Sequence, residues 1–206
     1  VLARMRRPER QRTIREKLAR FRAAVPGLAV RTTCIVGFPG ETDDDFQQLL
    51  DFLEEARFDR VGAFAYSPQE GTRAYDMIDD VPDEVKRDRL DRLTELQRAT
   101  TAERYEEYVG ATAAVLIDRG ADDEGPAQGR TPWQADDVDG VTWVDTDAPA
   151  GSLVEVRITE VVDDYDFTAD ALRVVDRPQT ERRRGRALPM MAGVVAATPT
   201  VGSYGR

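Results

Sequence analysis

The periodicity of this 206-residue chain changes at Gly110, and that change limits the fold more than any other feature. Before it, apolar residues recur at helical spacing or in short β-branched runs. After it they alternate, as in strands with one buried face. One uniform architecture cannot carry both patterns, so the sequence predicts an α/β part followed by an all-β part.

From Pro8 to Ala24 the residues Ile14, Leu18 and Phe21 recur at helical spacing, continued by Val25 until Pro26-Gly27 stops the pattern. Leu28 to Phe38 then reads as a buried strand, closed by the turn Phe38-Pro39-Gly40. Thr42 is placed as the N-cap of a second helix running to about Ala56, with Asp43, Asp44 and Asp45 where the helix dipole favours negative charge. A second strand is predicted over Arg60 to Tyr66. A long helix follows from Pro82 to about Tyr108, with Val85, Leu90, Leu93 and Leu96 on its apolar side. This order is that of βα units in a parallel sheet.

Past Gly110, strands are predicted over 112–117, 141–144 and 153–158, separated by Asp/Gly-rich turns, which suggests a small antiparallel barrel. Residues 177–206 read as a disordered tail, and its basic run Arg182 to Arg186 as solvated charge.

Charge and cysteine usage exclude some classes of function. The net charge is −10, and residues 103–176 hold about 19 Asp and Glu against about five Arg, roughly −14. Such a field disfavours nucleic acid, whose phosphates are bound by cations. The single cysteine, Cys34, allows no internal disulfide, so the cytoplasm is the expected compartment. No apolar run approaches the length of a membrane span.

Four local patterns in fixed order carry a resemblance: Arg4-Met5-Arg6-Arg7-Pro8, Ile35-Val36-Gly37-Phe38-Pro39-Gly40-Glu41-Thr42, Tyr66-Ser67-Pro68-Gln69-Glu70-Gly71-Thr72, and Gly129-Arg130-Thr131. Together they resemble the radical S-adenosylmethionine methylthiotransferases over nearly all of residues 1–176. The resemblance implies that residues 1–102 are the C-terminal portion of a partial (β/α) barrel, beginning after its fourth strand. It implies that residues 103–176 are a TRAM domain, a small antiparallel β-barrel that contacts substrate. The family's cofactors are S-adenosylmethionine and 4Fe-4S clusters, and the cluster cysteines of its C-x-x-x-C-x-x-C motif would lie upstream. This chain alone is therefore expected to hold no catalytic residue and no metal ligand, and to be inactive. Within the family, Gln69-Glu70 and the acidic turn before Val141 resemble the subtype that methylthiolates an aspartate β-carbon of the twelfth small-subunit ribosomal protein. The alternatives are the tRNA-modifying subtype and a noncatalytic acidic module that binds a basic protein.

The resemblance assigns Gly37, Phe38, Gly40 and Glu41 to S-adenosylmethionine. On the residues alone, Pro39 and Gly40 can equally serve to shape a strand-to-helix turn, and Glu41 can be a helix-start carboxylate. Asp136, Asp137 and Trp133 are the candidates for docking the ribosomal protein. RNA is not an expected partner of the acidic domain, and neither is a membrane. Cys34 is expected to be buried, and Arg31 to pair with a nearby carboxylate. A partial barrel is also expected to expose an apolar sheet face.

Overall fold

The computed structural model describes residues 1–135 and 138–177. The expected tail and the candidates Asp136 and Asp137 lie outside these, apart from Arg177.

The α/β part runs α1 (Gln11–Ala24), β1 (Arg31–Val36), α2 (Asp43–Ala56), β2 (Arg60–Ala65), a 3₁₀ turn (Arg73–Asp76) and α3 (Asp83–Glu106). β1 and β2 pair in parallel, with Thr33 opposite Gly62 and Ile35 opposite Phe64. Alternation along a strand sends Cys34 and Val36 to one face and Thr33 and Ile35 to the other. Val36, Phe46, Phe52, Leu53, Phe58 and Leu93 form the core between the first face and the helices. The described residues leave the second face open, with Ile35 43% and Phe64 60% exposed.

α2 begins as the residues dictate. Thr42 accepts from the Asp45 amide at 3.1 Å and Asp45 accepts from the Thr42 amide at 3.2 Å, a reciprocal cap built with Asp instead of the usual Glu. Bonding to the Thr42 amide holds the Asp45 carboxyl below its ordinary range. α3 has a more polar inner face than its apolar side foretold. Leu93 is fully buried and Leu90 and Leu96 pack against the core, but Lys86, Arg89, Gln97, Thr100 and Thr101 are buried as well. Each buried polar group there has a defined partner. Gln97, for example, donates to the Phe58 carbonyl at 3.0 Å.

Beyond Gly110 five strands close a barrel: β3 (Thr112–Arg119), β4 (Ala127–Arg130), β5 (Thr142–Asp145), β6 (Leu153–Val162) and β7 (Asp166–Asp176), in the order β3-β4-β5-β7-β6. β3 and β6 contain the strands expected over 112–117 and 153–158, and β5 is shifted by one residue from the expected 141–144; β4 and β7 are additions. The barrel is not wholly antiparallel, because β5 and β7 pair in parallel. Val115, Ile117, Val144, Val154, Val156 and Phe167 fill it.

The two parts share α3. Tyr105, 1% exposed near its C-terminal end, stacks on Phe167 of the barrel with ring centroids 4.6 Å apart. Burial pushes the Tyr105 hydroxyl up to about 12. Among the described residues, no helix is long and apolar enough to cross a membrane.

Candidate functional site

The turn after β1 joins a buried strand to a capped helix, and charged side chains on both sides of it set its geometry. Gly37 and Gly40 have φ of 71° and 73°, the left-handed region that suits glycine. The Gly37 amide donates to Glu41 Oε1 at 2.8 Å, and Arg89 Nη1 donates to the same oxygen at 2.8 Å. Arg89 and Glu41 are almost wholly buried, and Arg89 Nη2 reaches Asp43 at 2.7 Å. On the other side Gly40 donates to Asp80 at 2.6 Å, while Arg4 Nη1 donates to the Pro39 carbonyl at 3.1 Å.

The backbone favours glycine at both positions, and at Gly37 the packing requires it as well. A Cβ on Gly37 would collide with the buried stem of Lys86, and one on Gly40 with the Arg4 guanidinium. Lys86 donates to Asp79 at 2.6 Å; burial lowers its proton affinity, and the bonds to Asp79 and Asp83 more than restore it. Among the four residues assigned to the cofactor, Glu41 therefore braces the turn from inside. Phe38, 4% exposed, meets Tyr66 edge-to-face at 5.2 Å.

Phe38 and Tyr66 form one wall of an open cavity of about 730 Å³ at the C-terminal ends of β1 and β2. Ile35 and Phe64 from the open sheet face complete its apolar side, and Arg4, Arg6, Arg7 and Arg73 line it as well. Ligands of parallel α/β folds bind at this end of the strands. Gly37, Gly40 and Glu41 are not among the residues lining this cavity; Glu41 borders a smaller adjoining one of about 260 Å³.

The docking candidate Trp133 is half-buried and stacks on Tyr108 with centroids 3.8 Å apart. It belongs to the aromatic cluster where α3 meets the barrel. Arg31 does pair with a carboxylate, but a distant one: Asp139, 108 positions along the chain, at 2.8 Å. Asp139 and Asp59, both 2% exposed, were missed as junction residues because their partners are remote in sequence. Asp59 accepts from the Val30 amide at 2.7 Å and from Arg104 at 2.8 Å, fixing the end of α3 to the sheet.

Cys34 is the single thiol, and burial pushes it up to about 11, so it is protonated at neutral pH. Among the described residues no three His, Cys, Asp or Glu side chains are grouped to hold a metal ion. This residue set does not fit an iron-sulfur cluster, which needs several thiolates.

A TRAM domain family model matches residues 109–172, which covers the barrel except for the end of β7. The chain is similar to ribosomal protein uS12 methylthiotransferases RimO from three bacteria. One from Thermus thermophilus is 48% identical over 169 residues, covering 81% of this chain and 38% of the relative. That of Anaeromyxobacter sp. Fw109-5 is 47% identical over 182 residues, 87% of this chain and 37% of the relative. That of Mannheimia succiniciproducens is 45% identical over 171 residues, with 81% and 38% covered. The chain thus spans under two fifths of the length of the curated relatives it matches.

Proposed function

Because the chain belongs to the family of these methylthiotransferases, over the part of their length that it spans, we propose that it serves an enzyme adding a methylthio group to an aspartate β-carbon of ribosomal protein uS12. The observation that carries this is the reach of the identity: at 81–87% of the chain it includes both the βα units and the barrel. In this reading residues 1–102 form part of a radical S-adenosylmethionine barrel, and residues 103–176 are the substrate-docking TRAM domain. S-adenosylmethionine, when bound, supplies the radical chemistry that removes hydrogen from the substrate carbon. The cluster ligands must come from outside this chain, and no step here is assigned to the cluster.

What this chain contributes is shape and field. The turn braced by Glu41 and Arg89 sets the position of Phe38, which with Tyr66 walls the cavity at the strand ends. Gly37 and Gly40 allow the turn to close behind Phe38. The barrel presents exposed carboxylates at Asp123, Asp145, Asp147, Glu160, Asp163 and Asp170. An acidic surface repels RNA and speeds the encounter with a basic ribosomal protein, which favours the uS12 substrate over tRNA.

The test is direct. The intact reduced enzyme, with cofactor and a sulfur source, is incubated with uS12 and with tRNA, and each product is weighed by mass spectrometry. A single methylthio group on a uS12 aspartate is the expected result. Methylthiolated tRNA with unmodified uS12 would assign the chain to the tRNA-modifying subtype instead.

A further inference from the structure

The motif Arg4-Met5-Arg6-Arg7 is not explained by the turn, the core or the barrel. Arg4 is engaged by the Pro39 carbonyl and lies 3.8 Å from Asp45. Arg6, Arg7 and Arg73 are exposed, and their side chains make no hydrogen bond or ion pair with any other described residue. All four line the 730 Å³ cavity, and no Asp or Glu lines it with them. In a chain of net charge −10 four arginines on one cavity stand against the general composition, although Arg7 also borders an adjoining smaller cavity lined by Glu9, Glu41 and Asp45.

Local geometry shows how the cluster is built. Arg6 is held at φ 56°, a left-handed conformation uncommon for a residue with a side chain. Its amide donates to the Ala3 carbonyl at 3.1 Å, and the Arg7 amide donates to the Leu2 carbonyl at 2.9 Å, so the segment is a closed turn. Arg73 arrives from the 3₁₀ turn after β2, more than sixty positions later in the chain. Guanidinium groups gathered at a partly apolar cavity repel one another, and a bound anion removes that repulsion. The planar fork of arginine matches a carboxylate by paired N–H bonds.

We infer that Arg6, Arg7 and Arg73 form a carboxylate-binding site at the mouth of the cavity, with Phe38 and Tyr66 packing the apolar portion of the same ligand. The inference rests on the proposed function, which supplies two carboxylates: the side chain of the target aspartate and the amino-acid end of S-adenosylmethionine. The first would make the arginines the determinant that selects an acidic residue within a basic protein.

The experiment uses the intact enzyme and three probes: a uS12 peptide containing the target aspartate, the same peptide with asparagine there, and S-adenosylmethionine. Dissociation constants are measured for wild type, Arg7→Gln, Arg73→Gln, the double variant and Arg73→Lys, with thermal melting to confirm that each is folded. Binding of the aspartate peptide is expected to weaken about tenfold per arginine lost, with the asparagine peptide and the cofactor unchanged and Arg73→Lys intermediate. A tenfold weakening of the cofactor alone identifies its carboxylate as the ligand of the same site. Unchanged affinity for both ligands in the folded double variant overturns the site while leaving the methylthiotransferase reading intact. Wild type that binds neither the aspartate peptide nor the cofactor takes both down together.

Discussion

Arg60 of β2 reaches out of the sheet to Asp139 of the barrel, donating to its backbone carbonyl at 2.8 Å and placing Nε 3.2 Å from its carboxylate. The second contact is a charge contact without hydrogen-bond alignment, since Nε itself has no hydrogen-bond partner. The guanidinium lies over the Tyr165 ring at 3.9 Å and donates to the Tyr105 hydroxyl at 2.8 Å. Asp139 in turn accepts from the Ala135 amide at 2.8 Å and from Arg31. One buried carboxylate thus fastens the barrel to both strands.

Asp139→Ala would leave the largely buried Arg60 charge without its counterion, and breaking such a pair costs on the order of 3 kcal/mol. Arg31 is nearly half exposed, so Arg31→Ala should cost under about 1 kcal/mol. Urea unfolding should show a much lower midpoint for the first variant than for the second. Equal midpoints would mean that the junction does not depend on the Arg60 contact.

Glu41 and Arg89 allow the reverse comparison. Removing either partner leaves the other buried and uncompensated, so Glu41→Gln and Arg89→Met should each destabilise by roughly 2–4 kcal/mol. The double variant should be less damaging than the sum, because no orphaned charge remains. A double-mutant cycle by denaturant unfolding measures this; strict additivity would show that the pair is not coupled.

The two turn glycines should differ in tolerance. Gly37→Ala meets the buried Lys86 stem in addition to a left-handed backbone, whereas Gly40→Ala meets the end of Arg4, which can swing away. Gly40→Ala should cost about 1–2 kcal/mol from the backbone alone, and Gly37→Ala more. Thermal melting of the two variants gives the order directly.

Cys34 makes a pH-dependent prediction. Its folded value, about 11, lies above the ordinary 9.0, so burial favours the neutral thiol. The associated stability is present below the ordinary value and is lost as pH rises through about 11. At pH 8 the folded thiol should be alkylated by iodoacetamide about a hundredfold more slowly than the urea-unfolded chain, because the thiolate is the reacting form. Comparable rates in the two states would place Cys34 in water.

Much of the fold could be read from local pattern, and what escaped did so for physical reasons. Thr42 and its acidic first turn marked the start of α2 to the residue. β7 was missed because Asp166, Asp170 and Asp176 interrupt it and only Phe167 and Ala169 are buried; its pairing with β6 and β5 is a backbone matter that side-chain alternation does not record. β4 is four residues long and contains Gly129. The Gly37-Phe38-Pro39-Gly40 turn was legible as special, but the reason for its glycines was not, since Lys86 and Arg4 approach from distant positions. The arginine cluster was equally hidden. Arg6 and Arg7 are separated from Arg73 by two strands and two helices, and only the parallel register of β1 and β2 brings them to one cavity.

The position of β7 has a consequence for biosynthesis. It is the closing strand, bonded to β5 on one edge and β6 on the other, so the barrel cannot close before Asp176 has left the ribosome. The βα units need nothing beyond α3 and can form earlier, as N-terminal segments do. Arg60 precedes Asp139 by 79 positions, a wait of roughly 4–16 seconds at translation rates of about 5–20 residues per second. Through that interval its guanidinium lacks its carboxylate, and the Tyr105 hydroxyl of α3 is the protein partner that can reach it first. The junction is therefore set later than the sheet it fastens, and a nascent chain stalled before Asp139 would carry the paired strands with this fastening unmade.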